Sequence, residues 1–532
     1  MMMRRFYPLV LATIVSLTLF SCQKKQRQKE ERFAHISILA PVRSLEPRFS
    51  HEKSMKNIVN MLYEGLMRLD SNGNVVPALA ESVAVSEDRM TYTFTLRNSS
   101  WSNGDPVTAY DFEYAWKKSV DPKYAQTGAS TFYAIKNVAA CLKNEASIDE
   151  VGVKSIDDKT LEVELEHPAP YFLYLCTCPT YSPVHKKIDC DHPGWGSTLN
   201  PYFISNGPFK LKKWKKGVEI SLERNPLYFD AVNVRLSGIS VQIIEDPNTQ
   251  IFLFEKGELD WIGHPFNPLP IDVIGDFQED GALDCVEAYG VSWYFLNTEQ
   301  PPFNNKNFRK AVAYAINRKE IIDHVLKLGE TPAMGILNGE LAVQEKPHFE
   351  DGNIMLARKY LKEALKEMET EELPSIVLSQ RANPLTSRVS QVIQDQLRVA
   401  LGLKVEIDQV DWPVHLDRVS KGNYEMGEMG WYSLLKDPIY MLDTFRGRHL
   451  ASNMSRWEHP HYQELLKKSD AEIDPKKRKE YLRQAETLLM EEMPIIPLCF
   501  NSQYYLKNKN LKGVYVSPLK EIDFRYASFS EE

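Results

Sequence analysis

Mixed α/β architecture in more than one domain is what this sequence predicts, and three observations carry it. The strand "SIVLS" (375–379), an apolar helical stripe through Val389, Val392, Ile393, Leu397 and Ala400, a turn at Gly402 and the strand "KVEID" (404–408) form a strand-helix-strand unit. Such units build parallel sheets. The segments "MTYTFTLR" (90–97) and "LEVELE" (161–166) alternate apolar and polar residues, as half-buried strands do. From Cys22 onward the chain has roughly 510 residues, too many for one hydrophobic core and suited to two or three domains.

The N-terminus reads in three parts: basic Arg4 and Arg5, an apolar run from Phe6 to Phe20, and Ser21-Cys22 followed by Lys24, Lys25, Arg27 and Lys29. This is the layout of a secretory signal. At about 15 residues the run is short for a spanning helix, which needs roughly 20. "LTLFSC" resembles the lipobox of bacterial lipoproteins, although Phe20 is bulkier than that pattern usually has. The resemblance implies a signal at 1–21, acylation of Cys22 and a solvated basic tether at 22–32, with the body outside the cytoplasm, anchored to a bacterial membrane. An uncleaved membrane anchor is the alternative.

In the next segment "WSNGDP" holds Asn103-Gly104, a pair suited to a tight turn with positive φ. Thr108 and Asp111 form a T-x-x-D capping box for a helix with Phe112, Ala115 and Trp116 on one face, ended by Asp121-Pro122. Farther on, 307–327 places Phe308, Val312, Ala315 and Ile316 on one helical stripe, 354–368 repeats the pattern, and Asp474-Pro475 opens a helix carrying Tyr481, Leu482, Ala485, Leu488 and Leu489.

Composition narrows the function. A net charge of −8 argues against nucleic acid as a partner, because phosphate binding relies on clustered Lys and Arg. Besides Cys22 there are Cys141, Cys176, Cys178, Cys190, Cys285 and Cys499. In an oxidising compartment they admit disulfides with undetermined pairing, or free thiols. The cluster 176–192, with His185 and His192, also raises a metal site, but Cys-x-Cys does not match the usual zinc spacings. No G-x-S-x-G elbow is present, and after His51-Glu52 position 55 is Met, so H-E-x-x-H fails. Paired carboxylates far apart in the chain keep a secreted hydrolase as a remote alternative. No cofactor is implied.

The stretch "VPALAESVAVSEDRMTYTFTLRNSSWSNGDPVTAYDFEYAWKK" (76–118) resembles the signature region of the family 5 solute-binding proteins, the oligopeptide- and dipeptide-binding components of ABC importers. "SNGPFKLKKW" with "LERNPLYFD" (205–230), "PPFNNKNFRKAVAYAINRKEII" (301–322) and "EEMPIIPLCF" (491–500) agree in the same order. The resemblance implies a type II periplasmic-binding-protein fold: lobe I from 33–65, 186–289 and 501–532, an accessory domain inserted at 66–185, and lobe II from 290–500. Crossings near Tyr289 and Asn501 form the hinge. In this family Trp101, Asp105 and Asp111 are folding determinants. The implied function is capture of oligopeptides or peptide-like ligands by a monomer and delivery to ABC permease subunits driven by cytoplasmic ATPases. A muropeptide, modified peptide or other small solute, and a role as a ligand-sensing lipoprotein, are alternatives.

The same resemblance nominates ligand-binding residues. In "EMGEMGWYSLLKDP" (425–438), Gly430 and Trp431 match the family's Gly-Trp pair, with Tyr432 beside them; Trp412 matches a second aromatic, and Phe500 lies in the closing segment. "SHEKS" (50–54) corresponds to a lobe I loop that reaches the ligand, nominating His51, Glu52 and Lys53. Oligopeptide binders carry an Asp three residues after this Trp to hold the ligand's α-ammonium; here that position is Leu434. Three residues before it, where a basic residue would face the ligand's carboxylate, stands Glu428. Either Glu428 or Asp437 takes the amine and Arg418 or Lys53 the carboxylate, or the ligand lacks ordinary free ends.

Overall fold

The computed structural model describes residues 32–49, 53–124 and 127–530. The signal at 1–21, Cys22, His51 and Glu52 lie outside the described residues.

Among the described residues eleven strands share one mixed sheet: β1 (Phe33–Ile38), β2 (Phe209–Lys215), β3 (Glu219–Arg224), β4 (Gly238–Ile243), β5 (Trp261–Gly263), β6 (Asp284–Leu296), β7 (Thr331–Pro332), β8 (Ser375–Arg381), β9 (Lys404–Val410), β10 (Met426–Tyr432) and β11 (Ile495–Lys507). The order is β9-β8-β10-β6-β11-β5-β1-β4-β3-β2, with β7 also paired to β11. Two wings result, one on each half of a central antiparallel pair. The helices that matter below are α1 (Lys53–Leu62), α2 (Ala109–Val120), α3 (Pro384–Leu401), α4 (Trp412–Lys421) and α5 (Pro475–Glu492).

The pair β6 and β11 belongs to both wings. Asp284 to Glu287 lie opposite Tyr505 to Ser502; the register then shifts, and Val291 faces Phe500. Within the interruption, Gly290 has no room for a side chain, since a Cβ there would sit 2.3 Å from the Tyr432 ring. Beyond it β6 pairs with β10 on one side and with β11 on the other, as far as Phe295 and Ile495. β5 joins β11 near its far end, at Tyr505 to Lys507.

The predicted strand-helix-strand unit is present: β8 and β9 pair in parallel from Ser375↔Lys404 to Arg381↔Val410, joined by α3, which ends at Gly402 with φ of 72°. A separate four-stranded sheet contains Ala80–Val85, Thr91–Leu96, Thr160–Glu164 and Val153–Ser155 in that spatial order. Its Tyr92, Phe94, Leu96, Leu161 and Val163 are buried, α2 packs against it, and the capping box of Thr108 and Asp111 is formed. Asp111 also accepts from Trp101 Nε1 at 3.4 Å, and Trp101 is fully buried.

The predicted helix over 307–327 is interrupted. It runs Lys306–Ala315, breaks at Ile316, and resumes at Arg318–Ile321 with a wider turn to Leu326. Asn317 caps the second piece by accepting from Glu320 N–H, and the buried Arg318 guanidinium donates to the carbonyls of Ala313, Ile316 and Pro497. Those bonds to freed carbonyls fix the break.

Asp189 ties the four-stranded sheet's helix to the main body. Its carboxylate receives Arg48 (2.6 Å), Lys118 (2.7 Å), Tyr114 Oη (2.7 Å) and Trp195 Nε1 (2.9 Å). Burial acts to raise its pKa, but Arg48 and these bonds outweigh it and hold the group well below the usual aspartate range. A depressed carboxyl adds stability above its unfolded pKa and loses it as pH falls toward the folded value. Asp189→Asn is therefore expected to cost roughly 3–5 kcal/mol at pH 7, with the gap to the native protein narrowing as pH drops below about 4; thermal melts of both proteins across that range check it.

Candidate functional site

The parallel strands β8 and β9 and the neighbouring β10 end, at their carboxyl termini, on the same side as the register break in β6. Crevices outside the carboxyl ends of such strands are where α/β sheets bind ligands. Ser433 N–H donates to Tyr289 C=O at 2.7 Å, and Asn297 N–H to Glu425 C=O at 2.9 Å. In an antiparallel ladder this phase turns the backbone groups of Met429 and Trp431 toward β6, and those of Glu428, Gly430 and Tyr432 to the opposite edge. β8 covers that edge only at Met426 and Gly427. The next carbonyl, that of Glu428, accepts from His415 Nε2 at 2.7 Å. From Gly430 onward the edge extends past β8.

The two glycines of the segment do different things. A Cβ on Gly427 would lie 3.0 Å from the Tyr424 ring, so Gly427 permits internal packing. A Cβ on Gly430 would meet nothing nearer than Tyr432 Cε2 at 3.9 Å, so the space it leaves is on the open side. Trp431, half-buried, stacks on the buried Trp293 with centroids 6.1 Å apart and planes at 16°, and Trp293 meets Phe445 edge-on at 5.7 Å. An aromatic wall on a rigid backing follows.

Tyr432 carries the wall across to the other wing. Lys520 Nζ sits 3.1 Å from its ring centroid, a cation–π contact, and burial pushes the Tyr432 hydroxyl up to about 12. On that opposite side Lys56 of α1 pairs with Glu521. Burial disfavours the charged ammonium, but Glu521 outweighs it and pushes Lys56 up to about 12, so the pair stays ionised. Tyr440 of the β10 wing lies within electrostatic reach of Lys56 and Cys178. Lys53 begins α1.

The nominated residues do not all converge. Gly430, Trp431, Tyr432 and Glu428 share β10; Phe500 faces Val291 at the register break; Trp412 opens α4 and is 43% exposed. Asp437 is elsewhere occupied: Arg478 of α5 donates to both its oxygens at 2.9 Å, and Oδ1 accepts from Ile439 N–H. This carboxylate is a buried structural anion, unsuited to a ligand amine. Arg418 is paired with Asp408 along the surface of α4 and β9. Glu428 is buried at 8% exposure, with Oε1 3.2 Å from Arg381 and Oε2 lacking a hydrogen-bond partner. Sequence reasoning missed Arg381, Lys520 and the Lys56–Glu521 pair. Only sheet adjacency brings Arg381 to Glu428, and nothing local marks it.

The remaining candidates separate in space. All six cysteines beyond Cys22 are free. His185 Nε2 lies 3.1 Å from Asp105, and His192 stacks on Tyr202, so both histidines of the cluster 176–192 engage residues outside it.

Three comparisons place this geometry. The sequence model of the bacterial extracellular solute-binding proteins, family 5, matches residues 74–453. The oligopeptide-binding protein OppA of Bacillus subtilis (strain 168) is 36% identical, over 99% of this chain and 100% of its own length. Among solved structures, Listeria monocytogenes OppA bound to peptide superimposes with a TM-score of 0.75 at 28% identity, covering 95% of this chain and 100% of that one. The substrate-binding domain of an oligopeptide ABC transporter from Bacillus anthracis gives a TM-score of 0.74 at 29% identity, covering 94% and 99%.

The two displaced ion pairs differ in burial, and mutation should separate them. Arg478→Ala, which strands the buried Asp437 carboxylate, is expected to cost roughly 3–5 kcal/mol in urea unfolding. Arg418→Ala, at an exposed pair, is expected to cost under about 1 kcal/mol.

Proposed function

This chain belongs to the bacterial extracellular solute-binding proteins of family 5, and from that premise we propose that it captures peptides between its two lobes and delivers them to an ABC permease. The observation that carries the reading is the β10 edge at Gly430. It offers a backbone N–H and C=O beyond the end of β8, beside the Trp431 face, with space where a Cβ would be. An extended peptide pairs with such an edge by its main chain, while side chains fill flanking space. Sequence-tolerant capture follows, because main-chain bonds are common to all peptides.

Delivery requires two states. The lobes meet through β6 and β11, whose register break at Ala288 to Gly290 and Asn501 gives the two crossings where φ/ψ changes concentrate. A peptide bridging β10 and the Lys56, Glu521 and Lys520 side favours the closed arrangement by its extra contacts there. We assign lobe I to 33–65, 186–289 and 501–532, the inserted domain to 66–185 and lobe II to 290–500. The chain acts without cleaving its ligand, as a monomer, outside the cytoplasm and held to the membrane through an acylated Cys22. The Listeria relative bound to peptide and the neighbour from an oligopeptide ABC transporter support ligand class and role.

Gly430→Ala tests the reading without disturbing the fold. Its methyl clears the protein by 3.9 Å, so stability should change by less than about 0.5 kcal/mol, while tetrapeptide affinity in calorimetry should fall by about tenfold or more. Unchanged affinity would remove the β10 edge from the binding site. In the same calorimeter, N-acetylation of the tetrapeptide should leave affinity within about threefold, because Leu434 offers no charge to the ammonium group.

A further inference from the structure

We propose that Arg381 reads the carboxylate of the bound peptide, and that Glu428 is the residue that positions it. This inference rests on the peptide reading above and adds the identity and location of the anion anchor.

The open edge of β10 has a definite end. Going from Tyr432 to Gly430 and on to Glu428, the outward carbonyl at Glu428 is already taken by His415 Nε2 at 2.7 Å, so main-chain pairing with a ligand stops there. Trp412, one turn before His415 on α4, stands at the same end with its ring centroid 6.1 Å from the imidazole. Whatever terminus the peptide places at this end meets Arg381, the last residue of β8.

Arg381 is built to receive an anion. Its side chain is 46% exposed, and its guanidinium carbon lies 5.9 Å from the Trp412 ring centroid, over the indole face. Its one ion-pair contact among the described residues is from a single terminal nitrogen to Glu428 Oε1 at 3.2 Å. A guanidinium has five N–H donors in a planar fork, so most remain available, and that fork matches a carboxylate. Glu428, by contrast, is buried and is the negative charge that keeps Arg381 at this place. Its Oε2 is enclosed rather than presented to the cleft. The pair therefore works as a fixed cation supported from beneath by a buried anion, with Tyr294 and Tyr432 also within electrostatic reach of Arg381.

The test compares a tetrapeptide with its C-terminal amide by calorimetry on the full-length protein. Native protein should prefer the free acid by ten- to a hundredfold, the range of a charge-assisted bond. Arg381→Gln should bind both forms equally, at the affinity the native protein shows for the amide; Arg381→Lys, which keeps the charge but loses the fork, should retain an intermediate preference. Because Arg381→Gln leaves Glu428 buried without its cation, the double variant Arg381→Gln with Glu428→Gln provides a neutral pair, and it too should show no preference. Glu428→Gln alone should reduce the acid-to-amide ratio while melting near the native temperature. Retention of the full acid preference in Arg381→Gln or the double variant overturns the proposal, as does equal binding of acid and amide by the native protein. If the native protein binds neither form, the peptide reading itself fails.

Discussion

Everything in this molecule that bears on function hangs on the hydrogen-bonded pairing of two thirteen-residue strands, β6 and β11, each of which is built into both lobes. Their ladder is regular from Asp284 to Glu287, is interrupted where Glu287 to Val291 on one strand confront Ser502 to Phe500 on the other, and shifts once more between Ser292 and Trp293. An interruption of this kind leaves backbone unpaired and bends the bulged strand locally. The two lobes thus join along one line of irregular pairing. Gly290 falls on that line, pressed by the Tyr432 ring, and Ser292 Oγ donates to Asn501 Oδ1 at 2.8 Å just beyond it.

That constraint also sets the chemistry of the cleft. By occupying one edge of β10, β6 fixes the phase of its ladder, and the phase decides that Gly430 rather than Trp431 offers its peptide groups outward. Trp431 is left to present a ring, stiffened by the Trp293 and Phe445 rings behind it. Charge is arranged around this neutral centre in compensated pairs, Lys56 with Glu521 on one lobe and Arg381 with Glu428 on the other. Compensation matters because buried unpaired charges are expensive; Arg381 is the half-exposed member of its pair, whereas Lys56 and Glu521 are both largely buried.

Local signals in the sequence marked what local chemistry determines. The turn at Asn103-Gly104 and the capping box of Thr108 and Asp111 were legible because their residue types satisfy requirements within a few positions. The β8-α3-β9 unit was legible from periodicity and Gly402. The break at Ile316 was not, since the buried Arg318 that stabilises it draws on Pro497, 179 positions away. At the site, the Gly430-Trp431 segment stood out, yet Asp437 and Arg418 were nominated as nearby charges whose commitments to Arg478 and Asp408 depend on tertiary packing. Arg381 stayed hidden for the same reason in reverse: only the adjacency of β8 and β10 gives it meaning.

The spatial order of the sheet has a bearing on how the polypeptide is made. β5 finds its second neighbour only in Tyr505 to Lys507, and β6 lies between β10 and β11, so the N-terminal lobe stays an unfinished fragment until almost the last residues have been synthesised. Contacts this distant in sequence form slowly. A nascent chain whose first lobe waits on its own tail carries β5 as an unpaired edge in the meantime, the kind of edge that invites pairing with other chains until β11 covers it.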